Sequence, residues 1–136
     1  MRVLKTVMGA AAALTLVAAV NAPPARAVTL DCYVNEVGYP TKISGPKVHA
    51  WGDVRCDYEV DQLVADVELY GSFSGSWVKV ASNYSGGYNT SYDYSSADAS
   101  CSGSRSYYTR VRWYAADGST VNSSYWQYSA TKVISC

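Results

Sequence analysis

An all-β domain is what this sequence predicts, on three observations. Apolar residues recur at every second position through most of the chain after residue 27, four cysteines are spread over that stretch, and Gly, Pro and Asn punctuate it at short intervals. Val28, Leu30, Cys32 and Val34 alternate with Thr29, Asp31, Tyr33 and Asn35, as a first strand with one buried face requires. Gly38 to Lys47 holds Pro40, Gly45 and Pro46 and reads as loop. Val48, Ala50, Gly52, Val54, Cys56, Tyr58 and Val60 then keep one parity through a long second strand. Leu63, Ala65, Val67 and Leu69 form the third, with Val64, Asp66, Glu68 and Tyr70 on its other face.

Gly71 to Ser76 turns the chain into a fourth strand, Trp77 to Ser82. From Asn83 to Ser100 the aliphatics give way to Ser, Gly, Asn, Asp and Tyr, which reads as a loop followed by a short edge strand ending near Cys101. Ser106 to Ala115 is the sixth strand, Asp117-Gly118 a hairpin turn, and Ser124 to Ser135 the seventh strand. Seven short strands without a helical stretch predict a seven-stranded immunoglobulin-like antiparallel sandwich with two disulfides. The Cys, Trp, Cys signature of true immunoglobulin domains is missing, since the sixth strand carries Trp113 and no Cys.

Residues 1 to 27 read as a signal peptide: Arg2 and Lys5, an apolar stretch from Val7 to Val20, and the small residues of Ala25-Arg26-Ala27 at the cleavage site. Removing them from the 136 residues leaves 109, a single β-sandwich domain over residues 28 to 136, secreted to the extracellular space. The exported chain carries 8 Lys and Arg against 11 Asp and Glu. A weakly acidic chain with no basic run offers nucleic acid no electrostatic footprint, and it gives no polybasic contact to a membrane once the signal is cleaved.

Four Cys in a short exported chain form a disulfide framework, and Cys32, Cys56, Cys101 and Cys136 allow three pairings. The preferred one joins Cys32 to Cys56 across neighbouring strands and Cys101 to Cys136, which pins the last residue to the sandwich. No Cys-x-x-Cys or Cys/His cluster points to zinc, so neither a metal nor another cofactor is expected.

Cys32 after the signal, the Val54-Arg55-Cys56 step, Cys101-Ser102-Gly103 ahead of Tyr107-Tyr108, and the terminal Ile134-Ser135-Cys136 give the chain a familiar layout. It resembles small exported four-cysteine β-sandwich proteins of high-GC Gram-positive (actinobacterial) bacteria, which share no known activity. The resemblance implies secretion and a stapled fold, and it suggests as contexts an adaptor or component of an exported antagonism or toxin assembly, or a hydrolase inhibitor. Arg112-Trp113-Tyr114 is similar to the Trp-Arg-Tyr triplet of small actinobacterial amylase inhibitors, but in another order and inside a strand.

No enzyme is expected. The single His49 lies at the parity opposite Val48 and Ala50, and no Gly-x-Ser-x-Gly elbow accompanies it. The carboxylate pairs Asp57/Glu59 and Asp66/Glu68 each point to one face of their strand, where a glycosidase could use them. Arg110 and Arg112 have the same spacing, so Asp66 and Glu68 are expected to face them as cross-strand ion pairs. Tyr107, Thr109, Val111, Trp113 and Ala115 should face the core.

The informative surplus is aromatic: all 13 Tyr, 4 Trp and 1 Phe follow residue 27. Tyr, Trp and Arg dominate interface hot spots, because large stiff side chains bury area at little entropic cost. The candidate binding residues are therefore Tyr84, Tyr88, Tyr92 and Tyr94 in the loop and Tyr70, Tyr108, Arg110, Arg112 and Tyr114 on the sheet. An extracellular protein partner is the first expectation. Polysaccharide is the alternative, with Trp51, Trp77 and Trp126 as the stacking platform.

Overall fold

A computed structural model describes residues 29–136, so the signal peptide reading lies outside the described residues. Nine strands follow one another: β1 (Cys32–Val37), β2 (Thr41–Ile43), β3 (Lys47–Phe73), β4 (Ser76–Tyr84), β5 (Gly87–Ser100), β6 (Ser104–Asp117), β7 (Thr120–Ser123), β8 (Gln127–Tyr128) and β9 (Lys132–Ser135). All pairings are antiparallel and belong to one sheet. The described residues contain no helix, and therefore none long and apolar enough to cross a membrane.

The 27-residue strand β3 organises everything else. Its first half pairs with β5 on one edge and with β1 and β2 on the other, while its second half pairs with β4 and β6. Between the halves the pairing with β5 skips from Arg55 to Val60, and the buried parity switches from Val48, Ala50, Val54, Cys56 and Val60 to Leu63, Ala65, Val67 and Leu69. That switch is what makes the sequence read as two strands. The chain in fact stays extended and folds over, so both halves contribute to one apolar cluster with Val111 and Trp113 of β6. Gly52 marks the contact between them, because a Cβ there would fall 2.3 Å from a methyl of Val111.

Three other expectations change. The segment 38 to 47 contains the short strand β2, bonded to the start of β3. The expected tyrosine loop is strand: Tyr84 ends β4, and Tyr88, Tyr92 and Tyr94 lie within the 14 residues of β5. Its apolar signal was faint because its inward residues are Ser95, Ala97 and Ala99, too small to announce a strand. The expected seventh strand, Ser124 to Ser135, is broken into β8 and β9, and the separate strand β7 precedes it; all three pair with β6. The two disulfides join Cys32 to Cys56, direct partners across β1 and β3, and Cys101 to Cys136. Loops of this length stabilise by about 3 to 4 kcal/mol each in the chain-entropy account.

Candidate functional site

The outward residues of the sheet fall on two faces, one on each half of β3. On the second half, strand register aligns Lys79, Tyr70 and Tyr108 in one row, Ser82, Glu68, Arg110 and Tyr128 in the next, and Tyr84, Asp66 and Arg112 in a third. Arg110 Nε donates to Glu68 Oε2 at 2.6 Å and Arg112 Nε to Asp66 Oδ2 at 2.9 Å, the cross-strand pairs that the spacing implied. Glu68 also accepts from the Tyr70 hydroxyl at 3.0 Å and from Lys79 at 3.3 Å. Between these strands, Tyr107, Thr109, Val111, Trp113 and Ala115 are all buried.

A clasp closes over this face. Ser124 and Ser129 each make two bonds to β6: their amides donate to the carbonyls of Trp113 and Thr109, and their hydroxyls accept from the amides of those same residues. Six residues, 124–129, thus lie opposite five of β6, 109–113. The extra residue is a bulge that thrusts Tyr125 into solvent, 95% exposed, and continues the β8 register so that Trp126 lies level with Arg112. The Trp126 indole covers both guanidinium groups, with centroids 4.1 Å from Arg110 and 4.4 Å from Arg112. Arg110 also lies 4.8 Å from the Tyr70 ring, which stacks on Tyr108 at 5.0 Å. Trp77 and Tyr128 flank Tyr108 at 4.8 and 5.9 Å.

Titration follows this packing. Burial works against the Glu68 carboxylate, yet the hydrogen bonds from Arg110, Tyr70 and Lys79 outweigh it and hold its pKa below the ordinary value. Burial first, and then the bond to Glu68, raises the Tyr70 hydroxyl. Burial likewise raises Tyr108, with the neighbouring Tyr70 adding to it.

The other face lies on the first half of β3, where Asp53 is buried and Tyr33, Tyr92 and Tyr94 stay exposed, with no strand among the described residues returning over them. Tyr33, Arg55 and Tyr92 form a row across β1, β3 and β5, and Tyr94 stands beside them opposite Asp53. Arg55 has a half-exposed side chain, at 51%, and its ion pair with Asp53 is long, at 3.7 Å. Asp53 is instead engaged by the Asn35 amide at 3.0 Å. The Arg55 guanidinium sits 5.2 Å from the Tyr92 ring, and Trp51 stacks on Tyr94 at 6.1 Å. Gly38 is what admits Trp51, since a Cβ there would meet the indole at 2.3 Å. At the far end of the face, Thr41, His49 and Asp98 share a row, with His49 Nδ1 2.6 Å from Asp98. No pocket opens among the described residues.

The structure thus separates the candidate residues. It brings Tyr70, Tyr108, Arg110 and Arg112 together on one face, with Trp126 over the two arginines, and it puts Tyr92 and Tyr94 on the uncovered face. Tyr84, Tyr88 and Tyr114 flank the second half of β3, level with Asp66, Gln62 and Val64. Trp51 lies on the opposite face from Trp77 and Trp126, so the three do not form one stacking platform. Trp113 is buried, which leaves the Arg112-Trp113-Tyr114 triplet without its central ring at the surface. Sequence reasoning did not count Arg55 and Tyr33 among the binding residues; their signal was the outward parity of each on its own strand, out of phase with Val54 and Val34.

No family model matches the chain, and no curated protein matches it. Among solved structures it is similar to the crystal structure of a protein from Archaeoglobus fulgidus, with 11% identity and a TM-score of 0.40 over 76% of this chain and 98% of that one.

Proposed function

We propose that the chain is a secreted, non-enzymatic binding module of immunoglobulin-like build that docks an extracellular protein through its uncovered face. One observation carries the reading: Arg55 stands half exposed between Tyr33 and Tyr92, weakly paired, on a face without a pocket. A flat surface rich in Tyr and Arg suits a protein partner better than a small molecule, which needs a concavity. The neighbour order supports the sandwich reading, with β1, β3 and β5 adjacent on one half and β4, β3 and β6 on the other. Two disulfides and the signal-like start support export. Adaptor, toxin-assembly component and hydrolase inhibitor all fit such a face.

Polysaccharide binding has one observation in its favour. Tyr33 and Tyr92 flank Arg55 two strand spacings apart, roughly 10 Å, about the length of two sugar rings. The test is capture from the producer's extracellular medium by tagged wild type and by an Arg55→Ser, Tyr92→Ser, Tyr94→Ser variant. The proposal expects a stoichiometric protein with wild type that the variant does not retain. A protein held equally by both, or sugar polymer in its place, would overturn it.

A further inference from the structure

Charge that is scattered in the sequence is sorted in space. At the bend of β3 stand Asp31, Asp57, Glu59, Asp61 and Asp117: the Asp57 amide bonds the Asp31 carbonyl, and Asp61 Oδ2 takes the Gly118 amide beside Asp117. No carboxylate of the five is in an ion pair among the described residues. The nearest cation, Arg55, is turned onto the uncovered face above Tyr92. At the opposite end stand Lys42 of β2, opposite Val48, and Lys47 at the start of β3, opposite Ile43. Arg105 and Lys132 join them from β6 and β9, with Arg105 4.1 Å from the Phe73 ring at the end of β3 and Lys132 5.0 Å from Tyr39. These four have no carboxylate partner among the described residues either. The acids nearer that end, Asp98 and Glu68, are taken by His49 and by Arg110 and Lys79.

We propose that the basic end accepts the acidic end of a second copy, so that copies associate head to tail. The ten residues from Lys47 to the bend separate the poles by roughly 30 Å. That is as long as the screening length at 0.01 M salt and several times that at physiological salt, so each pole is felt separately. The charges are complementary and lie at opposite ends of one chain, so the contact is heterologous and repeats without closing. Glu36, near the end of β1, and Asp98, held by His49, are the exposed acids outside the pattern among the described residues. Individually such exposed pairs contribute little, which makes the association weak and salt-dependent.

Sedimentation of the exported chain tests this. In about 10 mM salt the weight-average mass should at least double as concentration rises, and in about 300 mM salt it should return to that of one chain. Two variants extend the test, Lys42→Gln with Lys132→Gln and Asp57→Asn with Glu59→Gln, their folding checked by urea midpoints. Each alone should remain single chains in low salt, and an equimolar mixture should stop at pairs. A wild type that stays single in low salt would overturn the proposal, as would either variant associating like wild type. Binding of inorganic polyphosphate by a single-chain wild type, lost with Lys42→Gln and Lys132→Gln, would assign the basic end to an anionic polymer instead.

Discussion

The two faces of β3 carry nearly the same residues and treat them differently. Each has an Arg beside an Asp or Glu, a Trp, and tyrosines that share rows across neighbouring strands. On the second half the chain returns as a clasp, Trp126 closes over the guanidinium groups, and Arg110 is left only 21% exposed beside Glu68 at 10%. On the first half nothing returns, and Arg55 keeps its donors in water. An inventory of Tyr, Trp and Arg thus does not distinguish a structural ladder from a binding surface. What distinguishes them is whether another segment satisfies the side chains first.

The sharpest way to break this comparison is Glu68→Ala. It leaves Arg110 without its main partner in a mostly covered site, and a loss of about 2 to 4 kcal/mol is expected in urea denaturation, the upper range discounted for residual exposure. Trp126→Ala comes next. Uncovering two guanidinium groups should cost about 1 to 2 kcal/mol and speed amide exchange of Ser124 and Ser129.

Acid gives the third test. The folded-state pKa of Glu68 is depressed, so its contribution is complete above its ordinary value of 4.5 and is lost as pH falls through the lower folded value. Wild type should therefore lose stability more steeply than Glu68→Gln below about pH 4.5, with parallel curves above it. The smallest effect belongs to the open face: Tyr92→Ser with Tyr94→Ser should shift stability by no more than about 0.5 kcal/mol per site while reducing partner retention.

Much of this was legible in the sequence, for reasons that particular residues make plain. Parity located the ladder, because Asp66, Glu68, Arg110 and Arg112 sit at i, i+2 spacing on strands whose inward residues are unmistakably apolar. Of the three disulfide pairings that the sequence allowed, the preferred one is the one that forms. Of β5 only a short edge strand ending near Cys101 was legible; its full extent, Gly87–Ser100, was hidden because Ser95, Ala97 and Ala99 face inward where Gly52 keeps the layers close, so no aliphatic marks the pleat. The clasp was hidden because Ser124 and Ser129 bond through side chains, and a bulge between them breaks the period-two pattern. The charged poles were invisible because Lys42, Lys47, Arg105 and Lys132 meet only after β3 has folded over.

The most direct test compares the urea midpoints of Glu68→Ala and Arg55→Ala, each of which removes one member of an Arg and carboxylate pair on a sheet face. A large drop for Glu68→Ala beside an unchanged midpoint for Arg55→Ala is the predicted result. Equal drops, or a larger one for Arg55→Ala, would contradict the division of the molecule into a self-satisfied face and an available one.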